Sequence, residues 1–377
     1  MNADRPGTAT LTFRGGGWII AASALLVAIL LAWSLLGPLM GRHPTGDGRT
    51  LESYGFDLST LLVAKDELVA SSQPRSFLPS RDDPAPMLGR DMAIFNEENR
   101  PKYVVSTDRV LGIVVDGKAH AWPLSMLNAH EVVNDSVGGE PVAATYSPLC
   151  DAAVVFRRTV DGRVRHFEVS GLLVDSNLVF FDKSAEGIDA ASHAPSLFLQ
   201  LERRAIAGPL AAKGVALEPL PGACITTWAD WLAAHPDTTV ATRDPEMIRR
   251  MREISYARYF LSPKLDFPAT PIPSDEALAA RGLRLKSPMV LVSNGAGWTA
   301  LSIEELVRRA GPERRLALEV GGRRLSVTLP AGPAVARVTG EDGSPVLTIP
   351  CHLFAAEAVV GPRERLEAWS EAESTPE

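Results

Sequence analysis

Two motifs, Asn128-Ala-His-Glu-Val-Val-Asn-Asp135 and Thr145-Tyr-Ser-Pro-Leu-Cys150, bring an imidazole, two carboxylates and a thiol within 23 residues. Two chemistries use such a set. In the first, Cys150 and His130 hold a copper or zinc ion, because a thiolate and a neutral imidazole suit a soft or borderline metal. Tight binding needs three or four ligands, so Glu131 and His352 complete the candidate set, with Asp151 and Cys351 as further donors. In the second, Cys150 is a nucleophile, His130 its base and Asn134 or Asp135 the group that orients the base, the usual plan of a thiol acyl-transfer site. Structural roles compete with both. A cysteine at a strand end packs as a small apolar residue, a histidine at a helix C-terminus caps it, and Asn134-Asp135 before Ser136-Val-Gly-Gly139 reads as a turn. Cys351-His352 reads as packing or as a partner for Cys150.

Elements that would position these groups are legible around them. Val110 to Val115, Asp116-Gly117 and Lys118 to Trp122 form a hairpin pattern, since Asp-Gly tolerates the positive φ of a two-residue turn. A short helix is expected from about Leu124, ending near His130. Strands are expected at Glu140 to Tyr146, Ala153 to Arg158, Arg163 to Val169 and Leu178 to Asp182. Thr227 to His235 carries Trp228, Trp231 and Leu232 at helical spacing behind a Thr cap.

A weak internal repeat sets Val110 to Leu127 against Met289 to Leu306, each running strand, turn, strand, short helix. Ser302 and Glu305 supply a capping box for the second helix. Hairpins are then expected at Leu316 to Leu329 around Gly321-Gly322 and at Ala334 to Ile349 around Asp342-Gly343. The fold class that follows is α+β: a β-rich domain of hairpins and short helices over 104–362, with two related halves at 104–222 and 283–356, preceded by one transmembrane helix.

That helix is expected at residues 15–41, which carry no charge. Its centre, Trp18 to Leu36, spans roughly 28 Å at about 1.5 Å per residue, the thickness of a bilayer core. The run is too long for a cleaved signal peptide and is followed by a poor cleavage site. The expected layout is a cytoplasmic tail (1–14), a signal anchor (15–41), a stalk and extended arm (42–103), the domain, and a charged tail (363–377). Ser71 to Pro101, rich in proline, is read as an arm laid on the domain rather than a helix. The lipid bilayer is the one expected partner, with the domain in the periplasm or outside a bacterial cell.

Thirty-eight basic against 45 acidic residues give a net charge of −7, and no basic patch interleaved with aromatics marks a nucleic-acid surface. Three cysteines are an odd number for a disulfide scaffold. Gly-x-Ser-x-Gly, the Walker loop and His-Glu-x-x-His are all missing.

Taken together, Val-Leu-Gly-Ile, Trp-Pro-Leu, His-Glu-Val-Val-Asn-Asp, Gly-Gly-Glu-Pro-Val, Thr-Tyr-Ser-Pro-Leu-Cys and Val-Ser-Gly-Leu-Leu between Val110 and Leu173 resemble the bacterial domain-of-unknown-function family 3179. Gly208-Pro-Leu210, Thr226-Thr-Trp228, His235-Pro-Asp237 and Phe267-Pro268 extend the resemblance to roughly Val104 to Phe354. It implies a Thr-Tyr-Cys-Pro-Leu-Cys-Gly core, in which Ser147 and Asp151 here replace the first cysteine and the glycine, and a Leu-Trp-Ser-Gln where this chain has Leu197-Phe-Leu-Gln200. It implies no established activity. The reading is a binding or accessory module with an altered metal site; the alternatives are a thiol-dependent enzyme using Cys150 and His130, or a structural, partner-binding domain.

Overall fold

The structure is a computed structural model that describes residues 18–19, 21–29, 45–183, 194–243, 255–295, 297–330 and 336–360. Residues 1–45 and 46–377 are separate units. Within the first, residues 18–19 and 21–29 are helical. No helix among the described residues is long and apolar enough to cross a membrane. The rest of the expected span and the 363–377 tail lie outside the described residues.

The second unit opens with an arm laid along the domain. It contributes three short strands, β1 (Leu68–Ala70), β2 (Arg81–Asp82) and β3 (Pro86–Leu88). It also forms a helix the proline content had argued against, α1 (Met92–Glu98). Its prolines sit outside that helix, where they cost it no hydrogen bond.

The expected hairpin follows as β4 (Arg109–Val115) and β5 (Lys118–Pro123), joined by Asp116 and Gly117 at φ 47° and 72°. Both faces of β4 are covered from Val110 to Ile113, while Val114 is exposed. A Cβ on Gly112 would come within 2.6 Å of the Trp231 indole, so only glycine lets that ring lie flat on the strand. Helix α2 (Leu124–His130) ends where Glu131 turns left-handed at φ 55° and donates its N–H to the Leu127 carbonyl.

Next comes a three-stranded meander, β6 (Val132–Val137), β7 (Glu140–Ser147) and β8 (Ala152–Arg157). Asn134 and Asp135 therefore lie on a strand, opposite Ala143 and Val142, and not in the expected turn. Gly138 and Gly139, both at positive φ, make the turn alone. The polar pair is tolerated because every buried polar atom finds a partner. Asn134 bonds Asp82 and both backbone groups of Phe167, and Asp135 accepts from Trp122 and Ser136.

A small hairpin, β9 (Thr159–Val160) with β10 (Arg163–Val164), leads into an antiparallel sheet. Its strands are β11 (His166–Val174), β12 (Asn177–Lys183), β13 (Leu197–Leu199) and β14 (Arg204–Ala207), with β1 on the outer edge of β11. Phe167, Phe180 and Phe198 meet in its core, each pair 5.3 to 5.8 Å apart. The chain then returns as β15 (Cys224–Thr227), antiparallel to β4. Helix α3 (Trp228–Ala234) follows, its N-terminus capped by Thr227 accepting from the Asp230 N–H as expected. Strand β16 (Thr239–Ala241) lies parallel to β5 and antiparallel to β3, completing the order β15-β4-β5-β16-β3.

Helices α4 (Ala257–Leu261) and α5 (Asp275–Ala280) connect to the second half. There β17 (Pro288–Ser293), β18 (Trp298–Ser302) and α6 (Ile303–Ala310) match the expected strand-turn-strand-helix, with Ser302 accepting from the Glu305 N–H. A second meander runs β19 (Arg315–Val320), β20 (Arg323–Thr328) and β21 (Arg337–Gly340). Of the last expected hairpin only the tip forms, a turn around Asp342-Gly343 closed by one antiparallel bridge, Thr339 to Pro345. Strand β22 (Thr348–His352) pairs with β17 instead of β21, because its apolar face belongs to the core around Met289 and Leu291. Each half thus runs hairpin, helix, three-stranded meander and a return strand beside the first strand of the hairpin.

Candidate functional site

The thiol region is closed. Cys150 sits in the turn after β7, fully buried, and its thiol donates to the Ser176 carbonyl at 3.3 Å. Burial pushes it up to about 12, so it is a protonated, inert thiol at neutral pH. Cys351 on β22 is also buried and raised well above its ordinary value, first by burial and then by the nearby Cys150 and Asp151. All three cysteines are unbridged. The His352 N–H donates to the Cys150 carbonyl at 2.7 Å, which seats β22 on the turn.

Asp151 locks the same turn. It takes both oxygens to the Arg109 guanidinium at 2.9 Å and accepts from the Tyr146 hydroxyl at 2.7 Å. His352 lies between Phe260 and Phe354, and neither ring nitrogen meets a hydrogen-bond partner, although the Lys286 backbone is close enough to favour the charged ring. Burial nevertheless holds it down to about 4.

His130 looks the other way. Its Nδ1 meets the Pro79 carbonyl at 2.5 Å, and burial, with Arg243 and Arg81 nearby, lowers it to about 4. Glu131 is buried beside Tyr256, and loss of water raises its carboxyl to about 8. Among the described residues no three of His, Cys, Asp and Glu gather as a metal-ligand group. The structure therefore places Cys150 with Cys351 and His352 on one side of the β7 turn, and His130 against the arm.

An open cavity lies elsewhere; among its residues the sequence names Asp135, as an orienting group for His130, and His235-Pro-Asp237, as a motif without a role. It has a volume of about 790 Å³ and is lined by the 83–86 loop, both hairpin turns (117–119 and 135–138) and residues 234–239. His120 on β5 and Thr239 on β16 are register partners, and parallel pairing sets their side chains together, Nδ1 to Oγ1 at 2.7 Å. On the far side of the ring, His120 Nε2 is 3.3 Å from Asp135 Oδ2, off the line of a good hydrogen bond. That same oxygen accepts from the Trp122 indole at 2.8 Å, and Oδ1 accepts from the Ser136 N–H at 2.7 Å. Lys118 and His235 line the same space, and His235 Nε2 is buried without a partner. One signal pointed here: His120 interrupts an otherwise apolar buried strand end, Ala121-Trp122-Pro123.

Over residues 86–349 the chain matches a family described as a protein of unknown function, DUF3179. The chain belongs to that family. No curated protein and no solved structure matches it. In this DUF3179 member the matched span takes in His120, Asp135, His235 and Thr239 but ends before Cys351 and His352. Motifs that carried the resemblance meet here: His-Glu-Val-Val-Asn-Asp lines the cavity through Asp135 and His-Pro-Asp through His235, while Trp-Pro-Leu holds Asp135 through the buried Trp122.

Glu131 gives a pH signature. Its carboxyl keeps a proton in the folded chain up to about pH 8, whereas the unfolded chain releases it near 4.5. The native state thus binds more protons across that window, and stability falls as pH rises through it, by at most roughly 5 kcal/mol. Glu131→Gln removes the titration. Denaturant midpoints at pH 5 and pH 8.5 should differ less in Glu131→Gln than in the parent, with the variant the more stable at pH 8.5; equal slopes in both proteins would show that the carboxyl is not held neutral.

Proposed function

We propose that this DUF3179 member is a membrane-anchored binding module whose ligand occupies the His120–Asp135 cavity, with residues 15–41 as the anchor and the domain exported. What carries the reading is the cavity itself. Its volume of about 790 Å³ falls in the usual range for small-molecule sites, and a few fixed polar groups stand among proline and alanine walls. The closed thiol region supports the same choice, because a fully buried Cys150 at about 12 is neither reachable nor a thiolate. The uncharged 15–41 run supports the anchor.

Two experiments test the two parts. A fragment library screened by ligand-observed NMR should give hits that Ala85→Trp, an exposed change at the cavity rim, weakens tenfold or more with an unchanged melting temperature. No hits, or hits indifferent to the rim change, would remove the cavity from consideration. Alkaline phosphatase fused after Glu377 should be active in a bacterial host, since that enzyme needs an oxidising compartment; an inactive phosphatase with an active β-galactosidase fusion would place the domain in the cytoplasm.

A further inference from the structure

We propose that the Thr239 hydroxyl is the reactive group of the cavity, a nucleophile that takes the acyl group of a small carboxylic ester. This rests on the cavity being the ligand site. Thr239 has two acceptors within reach, the Ala119 carbonyl at 3.4 Å and His120 Nδ1 at 2.7 Å. The first is too long for a good O–H···O bond, so the hydroxyl proton points to the imidazole. Nδ1 is then the unprotonated nitrogen and Nε2 carries the ring proton, facing the Asp135 carboxylate at 3.3 Å. Asp135 is itself held by Trp122 and Ser136.

Hydroxyl, base and carboxylate thus stand in series: Oγ1 bonds Nδ1, and Nε2 faces the carboxylate at 3.3 Å without an aligned hydrogen bond, so that the ring can take the hydroxyl proton and the nearby charge favours the imidazolium that forms. Thr239 is half-buried, His120 and Asp135 are buried, and all three line the cavity.

In the step, Oγ1 bonds to the ester carbonyl carbon while its proton passes to His120 Nδ1. Lys118, exposed at the cavity wall, is the group able to donate to the oxyanion that forms. The tetrahedral carbon then releases the alkoxide, which takes the proton back from His120 and leaves as the alcohol. Water, deprotonated by the same imidazole, attacks acyl-Thr239, returning the carboxylic acid and the free hydroxyl.

Treating the full chain in detergent with p-nitrophenyl acetate tests this. The result expected is a burst of p-nitrophenol and one acetyl group located on Thr239 by peptide mass spectrometry. Thr239→Val abolishes both, Thr239→Ser retains them, and Asp135→Asn slows the burst by about 10²-fold or more. Acetylation confined to lysines or the N-terminus, or a burst that survives Thr239→Val, overturns the proposal. Fragments that bind the cavity of a parent protein never acetylated at Thr239 would leave the binding module standing without this chemistry. Failure of both would remove the site as well.

Discussion

One buried carboxylate joins the parts of the first half. Asp135 belongs to the β6-β7-β8 meander, yet its side chain is spent on β5, accepting from the Trp122 indole and facing the His120 ring. A charge taken out of water is tolerable only when it is bonded on most sides. Here Trp122 and the Ser136 N–H supply the bonds, and the Asp135 carbonyl is held in turn by Arg158, whose buried guanidinium also reaches the Val142 and Arg165 carbonyls. If Asp135 let go, the hairpin sheet and the meander would keep the Arg109–Asp151 pair but lose their polar tie beside the cavity.

The two places where functional side chains gather differ in what they permit. Around Cys150 each bond closes the structure: the thiol to Ser176, Asp151 to Arg109 and Tyr146, and the turn backbone to His352. Beneath it Gln200 bonds Thr145 and Asn177, so the strands on either side of the motif are tied as well. Such a region fixes the junction between halves. Around His120 the bonds lead outward to a hydroxyl at an open surface, where another molecule can meet them.

Local chemistry made much of this fold legible. Asp116-Gly117 fixed its hairpin because few residues accept those angles, and Thr227 and Ser302 marked helix starts by side chains that do bond the backbone. What failed were positions decided by distant partners. Asn134 and Asp135 read as a turn because nothing nearby shows that Asp82, Phe167 and Trp122 will satisfy them on a strand. Strand β22 left the expected hairpin for β17. The site was harder still. His130, next to Glu131 and near Cys150 in sequence, ends at Pro79, while His120 acquires its meaning from Thr239, 119 residues away across a parallel pairing.

The tie through Asp135 is open to direct measurement by a double-mutant cycle on stability with Trp122→Phe and Asp135→Ala, each of which removes one partner of the bond. A hydrogen bond to a buried charge predicts a coupling of about 1.5 to 3 kcal/mol between the two sites. Additivity to within about 0.3 kcal/mol would show that the indole and the carboxylate do not hold the two sheets together, and would contradict the account at its base.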